Sequence, residues 1–196
     1  MKRIFDIVFS SFIFLLAWPF YVIIAIIIKA GDGGPVYYVA PRVGRNGVLF
    51  KMYKYRTMVV NADKIGASST MRSDPRITRV GHFLRKYKLD ELPQLFNVFL
   101  GTMSIVGPRP EVKYFTDLFT EEEKAILTVK PGITDWASIW NVDEGKILEG
   151  ADDPDKAYME LIWPKKKRLQ IRYIQEHSFA TDIKIIFLTL LAIFKK

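Results

Sequence analysis

Two adjacent acids, Asp90 and Glu91, lie in a part of the chain that is otherwise basic and apolar. Basic side chains come directly before them, at Arg85, Lys86 and Lys88. Carboxylates bind divalent cations, and arginine or lysine neutralises phosphate oxygens. A metal ion can therefore bridge a carboxylate and a phosphate while the basic groups offset the remaining charge. We take Asp90 and Glu91 as the candidate reactive centre for phosphate chemistry.

A short turn with a second arginine follows, at Gly107–Pro110. Its two prolines restrict the backbone around Arg109, which suits a fixed phosphate contact. A helix starting near Asp90 would add free backbone N–H groups that favour an anion. Asp90 could then attack phosphorus itself, because carboxylates serve as nucleophiles toward phosphoryl groups, with Mg²⁺ and arginine offsetting the repulsion. Glu91 would be a second metal ligand or a general base.

The alternative is that the acidic pair only caps a helix and interacts with its dipole. The neighbouring basic residues and the Arg109 turn favour the chemical interpretation. Replacing Asp90 by Asn separates the two, because full activity of that variant would exclude the nucleophile role.

The N-terminus contains an apolar segment, Ile4–Ile28, with one ionisable side chain, Asp6. As a straight helix it would be roughly 37 Å long, which exceeds a hydrocarbon core of about 30 Å. Pro19, preceded by Trp18, predicts a kink in the middle. Basic residues at both ends give no orientation by the positive-inside rule. The residues alone leave two courses open, a kinked span and a re-entrant helix that leaves by the side it entered.

The remaining chain predicts one mixed domain of helices and a small β-ribbon. Strands at 36–39 and 48–55 flank an Asn-Gly turn at 44–47, which is a hairpin signal. The basic residues of this ribbon form either a solvated surface or a strip facing phosphate or lipid. A helix from Asp90 to Gly101 is predicted, with an apolar stripe at Leu92, Leu95, Phe96 and Phe99. Further helices are predicted around 83–87, from a capping box at 120–123, at 157–177 with a break at Pro164, and at 181–194.

Composition limits the functional classes. The chain has 196 residues, a net charge of +8 and no cysteine. Disulfides and cysteine-ligated metals are therefore excluded, and two histidines make a His-rich metal site unfavourable. The positive charge favours anionic partners such as lipid headgroups or nucleotides. No nucleic-acid-binding motif is present, so we expect no nucleic acid partner.

Five ordered motifs resemble the bacterial sugar transferases, the monotopic polyprenyl-phosphate phosphoglycosyl transferases. The resemblance extends from about Lys2 to the C-terminus, and the short length resembles the minimal catalytic form of the family, which lacks the extra membrane helices of larger members. The motifs are KMYKYRTM at 51–58, SDPRIT at 73–78, LDELPQLFN at 89–97, MSIVGPRPE at 103–111 and VKPGIT at 129–134.

The resemblance implies an enzyme that moves a sugar phosphate from a UDP-sugar donor to undecaprenyl phosphate and releases UMP. Asp90 matches the family nucleophile, which forms a covalent phosphosugar intermediate, and Glu91 matches its acidic partner. Mg²⁺ is the implied cofactor, with Asp90 and Glu91 as its expected ligands. Expected substrate-binding residues are Arg109, Pro108, Arg85, Lys54 and Arg56.

The same resemblance favours a re-entrant membrane helix at 1–30, bent at Trp18 and Pro19, and a catalytic domain at 31–196. The expected fold class is α+β, mostly helical, with amphipathic helices in the membrane plane that place Asp90 near the headgroups. The expected location is the bacterial inner membrane, with the catalytic domain on its cytoplasmic face. The chain departs from the family at 135–142, DWASIWNV, where an expected arginine is missing. Trp18 also replaces a common serine before the proline.

Three other classes remain as alternatives. A membrane scaffold would explain the charge and the apolar ends but not the acidic pair beside the Pro-Arg-Pro turn. A nucleic-acid binder is disfavoured by the apolar N-terminus. A conventional metal-dependent glycosyltransferase would transfer the sugar without its phosphate, and the released nucleotide would then be UDP instead of UMP.

Overall fold

A computed structural model of the chain describes residues 1–67 and 69–194, so residue 68 and the last two residues of the domain predicted at 31–196 lie outside it. It confirms the α+β class with mostly helical content. The α-helices are α1 (Lys2–Asp32), α2 (Arg79–Lys86), α3 (Gln94–Leu100), α4 (Lys113–Asp117), α5 (Trp136–Trp140), α6 (Glu144–Ile147), α7 (Pro154–Ala157), α8 (Trp163–Glu176) and α9 (Phe179–Phe194). The strands are β1 (Tyr37–Val43), β2 (Leu49–Tyr55), β3 (Ser104–Val106) and β4 (Gly132–Thr134).

The N-terminal apolar segment is one long helix that begins at Lys2 and ends at Asp32. Pro19 lies inside it, and Gly33 ends it in the left-handed conformation with φ 70°. Within the described residues it is the one helix long and apolar enough to cross a membrane, judged by length and composition. One side of α1 packs on the domain, whereas most of its large apolar side chains, including Trp18, are exposed.

The predicted hairpin is confirmed. β1 and β2 are antiparallel, and Tyr37 is opposite Tyr55. The turn has positive φ at both Asn46 and Gly47, as a type I′ turn requires, and this matches the right-handed twist of the strands. A second, parallel pair, β3 and β4, joins the segments 104–106 and 132–134 and was not predicted.

The helix expected to start near Asp90 begins later, and this prediction was wrong. Residues Leu89–Glu91 form a 3₁₀ turn, Pro93 caps α3, and the α-helix begins at Gln94. Gly101 ends α3 as predicted, with φ 88°. An α-helix with Asp90 as its first residue would need the Pro93 N–H to donate to the Leu89 carbonyl, and proline has no N–H. The Leu92 N–H donates to that carbonyl instead, three residues back, which gives a 3₁₀ turn.

The predicted stripe on α3 is also partly wrong. Leu95 is buried, but Phe96 and Phe99 are exposed. The buried side chains of α3 are instead Gln94, Leu95, Asn97 and Val98. The apolar side of α3 is therefore shared between the protein core and an outer surface, where Phe96 packs against Phe14 of α1 with ring centroids 4.5 Å apart and the rings tilted by 34°.

The other predicted helices are present with changed details. The helix around 83–87 is α2, capped by the Thr78 side chain. The capping box at Thr120 and Glu123 forms in both directions but opens a 3₁₀ turn, Glu123–Thr128. Pro164 lies in the first turn of α8 and does not break it. The interruption falls earlier, in a π-helical turn at Tyr158–Ile162.

Candidate active site

Asp90 and Glu91 lie on the 3₁₀ turn between α2 and α3, and both are buried. Lys88 initiates the turn with a positive φ of 57°, a conformation that is uncommon for lysine. The turn brings two neighbouring carboxylates into the interior, where they have different partners. Asp90 Oδ1 has no hydrogen-bond partner among the described residues.

Glu91 is held by two basic side chains. Arg109 Nη1 donates to Glu91 Oε2 at 3.0 Å, and Arg109 Nη2 donates to Oε1. Lys54 Nζ, from β2, lies 3.2 Å from Oε1. Burial by itself raises the pKa of Glu91, but the charges of Arg109 and Lys54 prevail and hold this pKa well below its usual range. Glu91 is therefore an ionised anchor with both oxygens in use.

Asp90 shows the opposite behaviour. Burial raises its pKa above the usual carboxyl value, and the negative charge of Glu91 adds to that effect. The nearby charge of Lys54 acts the other way and favours the carboxylate. The less strongly held carboxylate is thus the one with a free oxygen, as a nucleophile requires.

The Arg109 turn is fixed by backbone contacts. Asp135 Oδ2 accepts a hydrogen bond from the Arg109 N–H at 3.2 Å. Gln170 Nε2, from α8, donates to the Arg109 carbonyl at 3.1 Å. The Pro108 carbonyl accepts from the Gly132 N–H at 3.0 Å. Pro108 therefore helps to hold the turn, and a contact with substrate stays a prediction.

Two glycines allow this turn to approach β4. A Cβ built on Gly107 would lie 2.5 Å from the Lys130 carbonyl oxygen, and one on Gly132 would lie 2.1 Å from the Gly107 nitrogen. Real Cβ atoms do not come so close to backbone. The motifs MSIVGPRPE and VKPGIT are thus two sides of one backbone contact that sets the position of Arg109.

Arg85 reaches the same region from α2. Its Nε donates to Thr57 Oγ1 at 2.9 Å. Burial lowers its pKa, whereas the negative charge of Asp90 opposes that shift. Gly81 lets α2 approach the segment after β2, because a Cβ there would lie 2.0 Å from the Thr57 carbonyl oxygen.

Arg56 is engaged elsewhere. Its Nη1 donates to Asp32 Oδ2 at 2.6 Å, its Nη2 donates to Asp32 Oδ1 at 2.5 Å, and its Nε donates to the Pro35 carbonyl. The guanidinium thereby fastens the end of α1 to the segment that follows β2. Its role in the structure is positioning, and a contact with substrate stays a prediction.

Several positioning residues were missed by the sequence analysis. Asn97 joins α3 to β2, since its Oδ1 accepts from the Tyr53 N–H at 3.0 Å and its Nδ2 donates to the Lys51 carbonyl at 2.7 Å. Asp135 and Gln170 hold Arg109, as described above. Asn97 belongs to the LDELPQLFN motif, and this membership could have pointed to it. Gln170 belongs to no recognised motif.

The donor set fits one metal contact better than two. Asp90 Oδ1 is free to bind a cation, but both oxygens of Glu91 are already paired. The described residues contain no cluster of three or more acidic or histidine side chains suited to a metal. Mg²⁺ commonly uses one or two carboxylates together with substrate phosphates and water, and Asp90 suits that arrangement.

The segment 135–142 forms α5 and its flanks. Asp135 caps this helix, because its Oδ1 accepts from the Ser138 N–H at 2.7 Å. Trp136 packs under the Arg172 guanidinium, 5.0 Å from the ring centroid. The segment that lacks the family arginine thus reaches the site through the contact between Asp135 and Arg109.

Comparison with known proteins places the chain in a family. The family model described as bacterial sugar transferase matches residues 1–196. The undecaprenyl-phosphate glucose phosphotransferase of Komagataeibacter xylinus is 38% identical over 96% of this chain and 35% of its own length. The UDP-glucose:undecaprenyl-phosphate glucose-1-phosphate transferase of Escherichia coli (strain K12) is 40% identical over 96% of this chain and 39% of its own. The exopolysaccharide production protein ExoY of Rhizobium meliloti (strain 1021) is 34% identical over 98% and 84%.

The chain therefore belongs to the bacterial sugar transferase family. It spans well under half the length of the first two relatives. The resemblance seen in the sequence motifs is confirmed.

Proposed function

We propose that the protein is a phosphoglycosyl transferase that moves a sugar phosphate from a UDP-sugar to undecaprenyl phosphate with release of UMP. The observation that carries the proposal is the buried, unpartnered oxygen of Asp90 beside a Glu91 fixed by Arg109. The names of the relatives from K. xylinus and E. coli describe transfer to undecaprenyl phosphate. A transfer of this kind would be the first membrane step of glycoconjugate assembly.

In the first step, a carboxylate oxygen of Asp90 attacks the phosphorus that carries the sugar. The new bond joins this oxygen to phosphorus, and the bond from that phosphorus to the bridging oxygen breaks. UMP leaves with the bridging oxygen and its electron pair. In the second step, an oxygen of undecaprenyl phosphate attacks the same phosphorus and releases the Asp90 carboxylate.

The basic residues offset the charge that accumulates in both steps. The positive charges of Arg85 and Lys54 favour the ionised carboxylate of Asp90. Arg109 is held in place by Glu91. Bound Mg²⁺, held through Asp90 and substrate phosphates, would supply further neutralisation. Glu91 then acts mainly by placing Arg109, because its own oxygens are in use.

The membrane location is part of the proposal. Exposed apolar residues follow helical spacing along α9, at Phe179, Ile183, Phe187 and Leu190. Phe179 packs edge-on against Phe5 of α1, so the apolar surfaces of the two helices adjoin. This surface is suited to lipid contact at the inner membrane, with a re-entrant α1 bent near Pro19 and the catalytic domain on the cytoplasmic face.

The test is to detect the covalent intermediate. We expect the purified protein, incubated with Mg²⁺ and a panel of UDP-sugars without acceptor, to gain the mass of one phosphosugar on Asp90 and to release UMP. Asp90→Asn should gain no adduct, whereas Asp152→Asn, at an exposed site outside the candidate centre, should behave as the parent. Release of UDP with no adduct on any donor would overturn the proposal in favour of direct sugar transfer.

A further inference from the structure

An apolar groove lies between the second half of α1 and α2. Its volume is about 290 Å³, and its wall is almost entirely apolar. The lining residues are Ile24, Ile27, Arg79, Val80, Phe83 and Leu84. Ile27 and Phe83 at its rim are 45% and 56% exposed, so the groove opens to the outside.

The floor of this groove is continuous with the surroundings of Asp90. Leu84 and Ile24 belong to a buried cluster that also includes Tyr21. Leu89 and Leu92, which flank the acidic pair in the chain, pack against the same cluster. A single apolar layer therefore extends from the groove to the turn that carries the candidate nucleophile.

The charges near the groove are suited to an anionic head. Arg79 lines the groove, and Arg85, the residue after Leu84, interacts electrostatically with Asp90. Lys86 and Lys88 add two further positive charges before the acidic pair. A ligand with one phosphate and a long apolar chain would match this pattern, with its phosphate toward Arg85.

The opposite side of the groove adjoins the exposed apolar surface of α1. Ile23 and Ile26 on that surface are 51% and 61% exposed. Since α1 is the helix suited to lipid contact, a chain leaving the groove would enter the hydrocarbon layer directly. An opening toward the hydrocarbon layer suits a ligand with a lipid chain and not a water-soluble one.

We propose that this groove holds the first isoprene units of the polyprenyl phosphate acceptor, which rests on the function proposed above. A cavity of about 150 Å³ holds one benzene molecule, so this groove has room for a chain of roughly ten carbon atoms. Holding that part of the chain positions the acceptor phosphate for attack on the Asp90 intermediate. The remaining isoprene units extend into the bilayer.

The test compares two tryptophan substitutions on adjacent residues of α1. Ile27→Trp fills the groove from its rim, whereas Ile26→Trp adds the same side chain to the exposed surface away from the lining. We expect Ile27→Trp to raise the KM for undecaprenyl phosphate about tenfold, because the displaced chain loses contact worth roughly two methylene groups. Ile26→Trp should leave this KM within about twofold of the parent.

Adduct formation from the UDP-sugar alone, measured by intact mass, serves as the control for folding and for the proposed function. If the parent protein forms no adduct, the proposed function is overturned, and this result is independent of acceptor binding in the groove. If both variants form the adduct and show equal KM values for the acceptor, the groove proposal is overturned. Equal increases in both variants would also overturn it, because they would indicate disturbed contact with bilayer acyl chains.

A photoreactive prenyl phosphate of ten carbons should label the peptide that contains Phe83, and labelling confined to other parts of the chain would contradict the proposal.

Discussion

Two adjacent carboxylates in one turn have different environments, and these environments suggest their roles. Glu91 is fully paired with Arg109 and Lys54 and stays ionised. Asp90 is buried with a free oxygen, and burial raises its pKa. The difference arises because the side chains of neighbouring residues on a tight turn point toward different neighbours. A group held by three donors is a poor nucleophile, whereas a desolvated and unpaired carboxylate is a better one.

The pH dependence of adduct formation should report the ionisation of Asp90. The reacting form is the carboxylate, so the rate should rise with pH through the raised pKa of Asp90. Lys54→Met removes a positive charge that favours the carboxylate. The pKa should therefore rise further and move the acid limb of the rate profile up by about one pH unit.

The matched control is Lys51→Met, because Lys51 lies on the same strand with an exposed side chain. Its acid limb should coincide with that of the parent, measured as the initial rate of adduct formation across buffers of constant ionic strength. A limb that stays in place in Lys54→Met would show that the rate does not report on a carboxylate near Lys54.

At the scale of single residues, the sequence predicted the candidate catalytic residues better than the residues that position them. Asp90, Glu91 and Arg109 stand out by type and spacing, and the structure brings them together. Asp135 and Gln170 hold Arg109 from positions 26 and 61 residues away along the chain. Contacts between such distant segments depend on the tertiary fold, and neither residue belongs to a local pattern that would reveal them.

At the scale of elements, α1 is fastened to the domain by a buried acid. Asp6 was visible in the sequence only as the one ionisable residue of an apolar segment. Its Oδ1 accepts from the Ser104 hydroxyl and from the Ile105 N–H, both at 3.0 Å. The side chain therefore joins the membrane-type helix to β3, which leads into the Arg109 turn.

Replacing Asp6 should loosen this connection. In Asp6→Leu the buried Ile105 N–H loses its acceptor, which should cost about 2 kcal/mol of unfolding free energy and lower Tm by roughly 5 °C. Asp6→Asn keeps an acceptor oxygen and should lose less than half as much. Thermal unfolding of the detergent-solubilised protein measures both, and a Tm for Asp6→Leu at or above the parent value would show that the contact does not stabilise the fold.

Local sequence patterns predicted a secondary-structure element correctly where a single pattern determined it. The Asn-Gly turn fixed the hairpin, and Gly101 ended α3. Prediction failed where signals competed, as at Pro93, where an acidic start and a proline were read as one helix and the chain forms a 3₁₀ turn followed by α3. The short parallel pair β3 and β4 escaped because three-residue strands carry too little periodicity to detect.

At the scale of the molecule, the domain contacts both ends of α1. Near the start, Lys2 pairs with Asp182 of α9. At the end, Asp32 pairs with Arg56, the residue after β2. Between them, the Tyr21 hydroxyl donates to the Leu92 carbonyl at 2.9 Å. A straight helix of this length would extend roughly 45 Å, so a membrane-spanning course would place one end across a hydrocarbon core of about 30 Å from the domain. Contacts at both ends favour a course that enters and leaves on the domain side.

Cysteine labelling tests this course directly, because the chain has no cysteine of its own. One cysteine is added in an extension before Met1, a second is Ala30→Cys at an exposed position, and Glu121→Cys marks the catalytic domain. We expect a membrane-impermeant maleimide to label all three in inverted vesicles and none in intact spheroplasts, because the ion pairs hold both ends of α1 beside the domain. Labelling of the N-terminal cysteine from the side opposite to Glu121→Cys would establish a spanning helix. The pairing of Lys2 with Asp182 would then have to be absent in the membrane, and Lys2→Met would leave the Tm unchanged.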